Sequence, residues 1–419
     1  MSAWKEYRLG DLCYKVCSGG TPKSTCSSYY EGGTIPWLNT KEINYNRIYD
    51  TESHITEDGL NNSSAKWIDS NAVVVAMYGA TAGRVAIAKV PMTTNQACCN
   101  LMIDSSKADY NYIYYYLSNS YKHLISMANG AAQQNLNAQI IKDLFISLPS
   151  LDEQRAIASI LSSLDSKIDN NRKISANLEA QAQALFKHWF IDFAPFKDGN
   201  FVEFELGMIP EGLIYKRIED VPHTLETGKR PAGGVKGIYN GVPSIGAENI
   251  KGLGCYDYSK TKYVTKEYFD SMKKGVITGY ELLIYKDGGK PGYFIPNFAI
   301  FGEGYPYKKM CLNEHVFKLD FGNKGYSLFA YFFFKTKQIM SYLNAQGAKA
   351  AIPGINSKDI EAVRIPSLDN ECVKNYCNEV EDILTQILVL SKESSRLSTL
   401  RDTLLPKLMS GAIKVKGYE

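Results

Sequence analysis

The sequence lacks several features that would indicate a membrane protein or a secreted protein. Hydrophobic residues make up 45% of the chain, but no run reaches the length of about 18 apolar residues that a membrane-spanning helix needs. The nine cysteines are odd in number and have no secretory spacing, so we expect free thiols in a reducing cytoplasm. Residues 1–6 also lack the apolar core of a signal peptide.

Motifs for catalysis and for cofactor binding are absent as well. The five histidines are scattered, and no pair has the spacing of a helical zinc site. The nucleotide-binding pattern Gly-x4-Gly-Lys-Ser/Thr is missing, and residues 79–84 resemble a turn more than a phosphate-binding loop. The Asn-Pro-Pro-Tyr and Asp-Pro-Pro-Tyr motifs of amino-methyltransferases do not occur either. We therefore expect no catalytic residues and no metal site in this chain.

Neither positive nor negative charge is in large excess, because the formal net charge is only +3. This value is low for a nucleic-acid-binding protein, but the charges are unevenly distributed. Residues 201–368 hold 22 Lys and Arg against 17 Asp and Glu, whereas residues 1–150 hold 12 of each. An electrostatic attraction to DNA would have to be local and stronger in the second half.

What the sequence does contain is an internal repeat. Residues 130–153 are echoed by residues 347–370, with Pro149 matching Pro366. Three further pairs keep the same order: residues 7–12 and 216–221, residues 35–43 and 242–250, and residues 74–84 and 283–293. The sequence between these landmarks diverges. This pattern predicts one scaffold that is used twice and carries two different surfaces.

Each half of the repeat has the pattern of a mixed α/β domain. Short β-branched and aromatic runs, such as residues 72–76 and 281–285, are bounded by Gly, Pro and Asn, which favours strands joined by turns. A helix is expected near the end of each half, at residues 110–120 and 326–335. We therefore predict two α/β domains at residues 1–150 and 193–368.

After each domain the apolar residues recur at alternating steps of four and three, from Ile157 to Trp189 and from Val373 to Leu404. This spacing predicts long helices at residues 151–192 and 369–410. Each helix would be about 60 Å long at about 1.5 Å per residue. Polar residues interrupt both seams, and such residues fix the register of paired helices; they are Asn171, Ser175, Ser394 and Arg401.

Two repeats related by an approximate twofold axis would place these helices antiparallel, as a coiled-coil spacer between two domains. The alternative is that each helix packs separately on its own domain.

Three segments carry a resemblance to a known family. Residues 400–411, Leu-Arg-Asp-Thr-Leu-Leu-Pro-Lys-Leu-Met-Ser-Gly, closely resemble the C-terminal end of the specificity subunits of type I restriction–modification enzymes. Residues 185–193 look like their central conserved segment, and residues 148–157 resemble their junction between domain and helix. The second junction departs from that pattern, because residues 369–372 read Asp-Asn-Glu-Cys instead of Asp-Glu-Gln-Arg.

The resemblance implies two target-recognition domains, each of which reads one half of a split double-stranded DNA site. It also implies that the two antiparallel helices set the gap between the half-sites. Two modification (methyltransferase) subunits and the restriction (motor–nuclease) subunits would dock on this chain. S-adenosylmethionine and ATP with Mg²⁺ would be bound by those partners, so no cofactor is expected here.

Candidate DNA-contacting residues lie in polar loops, because Asn and Gln can pair with adenine and Arg or Lys with guanine. In the first domain they are Thr21, Lys23, Asn39, Lys41, Tyr78, Thr81, Arg84, Gln133, Gln134 and Asn135. In the second domain they are Lys229, Arg230, Asn249, Lys286, Lys290 and Lys349. The segment predicted to dock the partner subunits is Leu404, Leu405, Pro406, Lys407 and Leu408, where Pro406 should end or kink the helix.

Two other functions are alternatives to this one. The chain could be a scaffold without DNA binding, in which two protein-interaction domains are joined by a coiled coil; the balanced charge of the first domain favours this alternative. A nuclease or methyltransferase fused to a DNA reader would need catalytic motifs that the sequence lacks.

Overall fold

The computed structural model describes residues 4–129, 135–205, 207–288, 292–349 and 353–415. The chain divides into two compact units, Met1–Ser166 with Ser398–Glu419 and Lys167–Leu397, which we call the first unit and the second unit. Both contain strands and helices, which confirms the predicted mixed α/β class. Within the described residues, no helix combines the length and the apolar composition needed to cross a membrane.

The first unit consists of short strands and four short helices that precede the first long helix. Its strands are Lys5–Arg8, Cys13–Ser18, Ile35–Leu38, Arg47–Ile48, His54–Ile55, Trp67–Ile68, Val73–Ala76, Val85–Ala88, Met92–Thr94, Cys98–Ile103 and Phe145–Leu148. Its short α-helices are Glu57–Asn61, Tyr110–Asn119, Tyr121–Asn129 and Ala138–Lys142.

The second unit has the same kinds of elements. Its strands are Phe201–Phe204, Gly207–Pro210, Tyr215–Arg217, Thr224–Thr227, Val242–Ile245, Lys262–Val264, Leu282–Tyr285, Phe298–Ile300, Cys311–Leu312, Val316–Asp320 and Arg364–Pro366. Its short α-helices are Lys266–Ser271, Lys324–Phe334, Lys337–Gly347 and Ser357–Glu361.

The two units share one strand order. In the first unit a sheet runs Cys13–Ser18, Cys98–Ile103, Val73–Ala76, Val85–Ala88 and Arg47–Ile48. In the second unit the corresponding sheet runs Thr224–Thr227, Val316–Asp320, Leu282–Tyr285 and Phe298–Ile300. A smaller sheet in each unit contains one parallel pair, Ile35–Leu38 with Met92–Thr94 and Val242–Ile245 with Cys311–Leu312. The repeat seen in the sequence is therefore also a repeat of topology.

Each unit pairs one of its early strands with the strand that precedes a long helix. Lys5–Arg8 pairs antiparallel with Phe145–Leu148, and Tyr215–Arg217 pairs antiparallel with Arg364–Pro366. These pairs fix where each long helix begins relative to its own sheets.

The apolar core of the second unit is built on one aromatic helix, Lys324–Phe334. Asn323 caps this helix, because its side chain accepts a hydrogen bond from the Tyr326 backbone N–H at 2.7 Å. Phe329 packs against Phe186 and Phe190 of the first long helix, with ring centroids 5.4 and 4.9 Å apart. Since each buried aromatic ring removes a large apolar area from water, this contact fixes the helix against the first long helix.

The long helices are Leu151–Phe190 and Glu371–Met409. In the second unit, Asn171 Nδ2 donates to Glu393 Oε2 at 2.7 Å, and the Tyr376 hydroxyl donates to the Ala182 carbonyl oxygen at 3.0 Å. Because the partner numbers run in opposite directions, the two helix segments are antiparallel there. Pro406 does not end the second helix, which continues to Met409.

In the first unit the helix segments pack through a buried charged centre. Asp165 is 8% exposed at its side chain and accepts from Arg47 Nη1 at 3.2 Å and from Arg401 Nη1 at 2.8 Å. The Tyr115 hydroxyl also donates to Asp165. One carboxylate thus joins a strand, a short helix and both long helices inside this unit.

Candidate nucleic-acid interface

Five segments of the first unit meet just beyond the C-terminal ends of its strands. They are residues 19–23, 38–45, 77–84, 94–97 and 135–136, and we call them the first loop cluster. Four backbone hydrogen bonds from N–H to carbonyl oxygen join them: Gly20 to Thr94 (2.9 Å), Asn95 to Leu38 (2.9 Å), Met77 to Ala97 (2.8 Å) and Leu136 to Met77 (3.1 Å).

The second unit repeats this arrangement. Its second loop cluster consists of residues 228–230, 245–249, 286–288, 312–315 and 353–356. The matching backbone hydrogen bonds run from Gly228 to Asn313 (3.2 Å), Asn313 to Ile245 (3.0 Å), Lys286 to His315 (3.0 Å) and Ile355 to Lys286 (2.8 Å). Three of the four bonds join equivalent residues, and the bond of Gly228 joins the same two loops as that of Gly20 with each partner shifted by one residue. We call this set of bonds the frame that holds the five loops of each unit together.

An asparagine occupies the same place in both frames. The side-chain oxygen of Asn95 accepts from the Ala97 N–H at 3.1 Å, and that of Asn313 accepts from the His315 N–H at 2.9 Å. Each asparagine thus forms a local turn that its own side chain stabilises. These turns bring the following polar residue, Gln96 or Glu314, to the edge of the cluster.

One glycine in each frame allows two backbones to approach closely. A Cβ on Gly19 would lie 1.9 Å from the Thr94 carbonyl oxygen, and a Cβ on Gly228 would lie 1.8 Å from the Leu312 carbonyl oxygen. No side chain fits at such distances, so only glycine is compatible with this backbone path. Gly19 and Gly228 are therefore equivalent, as are Asn95 and Asn313.

Because Gly19 is equivalent to Gly228, Thr21 corresponds to Arg230 two residues further on. Because Asn95 is equivalent to Asn313, Gln96 corresponds to Glu314. The Thr21 hydroxyl donates to Gln96 Oε1, and Arg230 Nη1 lies 3.9 Å from Glu314 Oε1. The frames therefore carry a neutral polar pair in the first unit and a charged pair in the second. The sequence alone did not single out Gln96 or Glu314 as site residues, although each follows an asparagine at the end of a short apolar strand.

Two other predicted residues of the first unit join neighbouring loops. The Thr81 hydroxyl donates to the Thr40 carbonyl oxygen at 2.9 Å, and Arg84 Nη1 donates to Asn44 Oδ1 at 2.8 Å. These contacts fix residues 78–84 against residues 38–45. Asn44 is exposed and is a further polar residue of the cluster that the sequence patterns did not indicate.

The remaining predicted residues of the first unit differ in their exposure and in whether another residue already binds their side chains. Asn39 caps the 3-10 helix Thr40–Glu42, since its side chain accepts from the Lys41 N–H at 3.5 Å. Lys41 Nζ lies 2.6 Å from Glu52 Oε2, and this contact raises the pKa of Lys41. Tyr78 is half-buried against the core. Lys23 and Asn135 are exposed, and Gln133 and Gln134 lie outside the described residues.

Two predictions for the second unit need correction. Asn249 is 0% exposed, because its side chain accepts from the Gly246 N–H at 2.9 Å inside the loop. Lys286 Nζ donates to the Glu314 carbonyl oxygen at 3.0 Å and lies 5.3 Å from the centre of the Phe317 ring. We therefore assign Asn249 and Lys286 to the frame and not to base contact.

The other predicted cations of the second unit are exposed. Lys229 and Arg230 lie side by side on one loop, and Lys349 Nζ donates to Gln346 Oε1 at 2.8 Å. Lys290 lies outside the described residues.

The acid of the loop 245–249 is paired with a lysine: Lys262 Nζ is 2.6 Å from Glu248 Oε1. Burial alone would raise the pKa of Glu248, but the contact with Lys262 holds this pKa below its ordinary value. This acid is therefore ionised and already paired.

The segment predicted to dock partner subunits is only partly accessible. Leu408 is 3% exposed, and Leu404 and Leu405 are half-buried against the same core of the first unit. Because these side chains stabilise the unit itself, we assign them to the core. Pro406 and Lys407 are exposed, and the docking prediction is retained for these two residues.

We expect Arg230→Ala to weaken duplex DNA binding and to reduce the slope of log affinity against log salt by about one, because one phosphate or base-edge contact is lost. The pair with Glu314 is exposed and contributes little to stability, so the fold should be unchanged. The measurement is a salt titration of duplex DNA binding, made in the presence of the modification subunits that the resemblance implies. Arg217→Ala, which removes an exposed arginine outside the loop clusters, is the control. Equal slopes for the two variants would contradict the assignment of Arg230.

Comparisons with known proteins agree with this geometry. Residues 1–180 match the family model of the type I restriction modification DNA specificity domain. Residues 1–180 are therefore similar to the DNA specificity domain that this model describes.

The more particular relationship extends along nearly the whole chain. The MjaIX specificity subunit of a type I restriction enzyme from Methanocaldococcus jannaschii is 28% identical, over 99% of this chain and 94% of that protein. The HindI specificity subunit from Haemophilus influenzae is 21% identical, over 99% of this chain and all of that protein. The predicted resemblance is confirmed: along nearly its whole length the chain is similar to the specificity subunits of type I restriction enzymes.

A solved structure shares the fold. The S subunit of a type I restriction–modification system from M. genitalium superposes with a TM-score of 0.56 at 17% identity, over 97% of this chain and 96% of that chain. At this identity the likeness concerns the fold alone.

Proposed function

We propose that this chain is the DNA sequence-specificity subunit of a type I restriction–modification system, and that each loop cluster reads one half of a bipartite duplex target. One observation carries the proposal: the two units hold five corresponding loops by four corresponding backbone hydrogen bonds, three of them between equivalent residues, while the exposed side chains on those loops differ. A constant frame with variable polar side chains is what two related readers of different sequences require, because base edges specify sequence and the frame positions them.

The proposal includes the partners. Two modification subunits and the restriction subunits would bind to this chain, and S-adenosylmethionine and ATP with Mg²⁺ would be bound by them. This chain would contribute no catalytic group. As the resemblance implies, the two long helices would set the gap between the half-sites.

The experiment that tests the proposal is to produce the chain with its cognate modification subunit and to map methylated bases in the host DNA. We expect a split motif with a fixed gap. Methylation without a defined motif, or none with an active modification subunit, would favour the scaffold function, in which the two units bind proteins. Methylation by the isolated chain with S-adenosylmethionine would instead indicate a fused enzyme.

We expect that exchanging residues 1–150 for the first domain of another specificity subunit changes only one half of the methylated motif. The reason is that the loops of each cluster are held by bonds within one unit, so their side chains can change independently. The measurement is again the methylation map, with the unexchanged chain as control. If both halves changed together, the two clusters would not be independent readers.

A further inference from the structure

A cleft of about 770 Å³ opens beside the second loop cluster. Its walls come from the end of strand Thr224–Thr227, from the end of helix Lys266–Ser271 and from residues 273–274. Lys229, Lys273 and Lys274 line this cleft, and all three are exposed. None of the sequence patterns indicated Lys273 or Lys274.

The backbone holds these lysines against the reading loop. Gly275 has a φ of +77°, and a Cβ at this position would lie 2.9 Å from the Gly228 Cα. The Tyr268 hydroxyl donates to the Lys229 carbonyl oxygen at 2.8 Å. Residues 273–275 are therefore fixed directly beside the loop that carries Lys229 and Arg230.

The acid that lines the cleft, Glu226, is paired mainly with other groups, and its interaction with Lys274 is the weakest of its contacts. Glu226 Oε2 accepts from the Gly275 N–H at 2.9 Å and lies 3.3 Å from Lys318 Nζ. Burial alone would raise the pKa of Glu226, but these two contacts hold it below its ordinary value. Among the described residues, no carboxylate lies within 4 Å of the amino groups of Lys229, Lys273 or Lys274.

The first unit carries less positive charge at the matching place. Its matching short helix, Glu57–Asn61, is also capped by a threonine, Thr56, as Thr265 caps Lys266–Ser271. The segment after it reads Asn62-Ser63-Ser64-Ala65-Lys66, in which Ser64 faces Gly20 and Lys66 is exposed. The pair of adjacent lysines is therefore found in the second unit, where the first unit has a single lysine.

We propose that this cleft binds phosphate groups of the DNA backbone beside the second half-site, through Lys273 and Lys274 together with Lys229. This inference rests on the proposed DNA-reading function and extends it, because it assigns a defined ionic contribution to the second unit. Phosphate contacts place a protein on the duplex without specifying sequence. The cleft would thus position the second loop cluster, whose pair Arg230 and Glu314 can then contact base edges.

The test compares the double variant Lys273→Ala/Lys274→Ala with the wild-type chain, both in complex with the modification subunits, on a duplex that carries the mapped site. About 0.9 of the slope of log affinity against log salt is lost for each phosphate contact removed. We therefore expect the slope to fall by about two, so that between 50 and 200 mM salt the wild type loses about tenfold more affinity than the variant.

The control is Lys308→Ala/Lys309→Ala, which removes two adjacent exposed lysines of the same unit that do not line the cleft. Equal slopes for the two double variants, or no change in either, would overturn the proposal. Saturable binding of inorganic phosphate at constant ionic strength, lost in the Lys273/Lys274 variant while its DNA slope is normal, would overturn it in favour of a small-anion site. If the wild-type complex does not prefer its mapped site to a scrambled duplex, the proposed function itself fails.

Discussion

Replacing Asp165 by alanine is expected to lower the free energy of unfolding of the first unit by about 3 to 5 kcal/mol, the range for breaking a buried ion pair by removing one partner. The Arg47 side chain is 10% exposed and that of Arg401 is 28% exposed. Both guanidinium groups would keep their charge; Arg47 would lose its carboxylate partner, whereas Arg401 would keep only its contact with the exposed Asp402 at 2.8 Å. The Tyr115 hydroxyl would lose its acceptor as well.

The measurement is urea denaturation of the purified chain, with the midpoint compared between variants. Asp169→Ala is the matched control on the same helix, because Asp169 pairs with Arg172 at 3.5 Å on an exposed surface, and such pairs are worth about 0 to 1 kcal/mol. Asp165→Asn keeps an acceptor for Tyr115 and removes only the charge. Its loss of unfolding free energy should therefore fall between those of Asp165→Ala and Asp169→Ala. A loss below about 1 kcal/mol for Asp165→Ala would show that solvent reaches the arginines, contrary to the buried centre.

The second large effect is expected at the glycines of the two frames. Gly228→Ala would place a methyl group 1.8 Å from the Leu312 carbonyl oxygen, so the loop that carries Lys229 and Arg230 must shift. Each good bidentate base contact contributes about 1 to 3 kcal/mol of discrimination. We therefore expect preference for the second half-site to fall by about 10- to 100-fold, while preference for the first is retained.

Gly19→Ala should lower the preference for the first half-site and leave the preference for the second unchanged. The reason is that its added methyl group would lie 1.9 Å from the Thr94 carbonyl oxygen. Gly212→Ala is the control, since a Cβ there meets nothing within 4 Å. The measurement is competition binding with duplexes in which one half-site at a time is scrambled. If each glycine variant weakened both half-sites equally, the effect would be general misfolding, and the assignment of one cluster to each half-site would be contradicted.

Part of the site followed from residue types in polar loops. Arg230, Arg84 and Thr81 are exposed or half-buried members of the loop clusters, as their chemistry suggested. Asn249 has the same chemistry but is wholly buried, because the turn at residues 246–249 uses its side chain for its own backbone. Sequence shows that a side chain can form hydrogen bonds, but not whether a neighbouring backbone group already uses them.

The sequence by itself determined the repeat, the α/β character of both halves and the stretches of helix after Pro149 and Pro366. These are set by the local order of apolar and polar residues, which repeats with the period of a strand or a helix. Tertiary structure alone decided that Asn95 and Asn313, Gly19 and Gly228, and Gln96 and Glu314 occupy equivalent places. Those relations depend on hydrogen bonds between loops distant along the chain, and no local pattern encodes which distant loops meet.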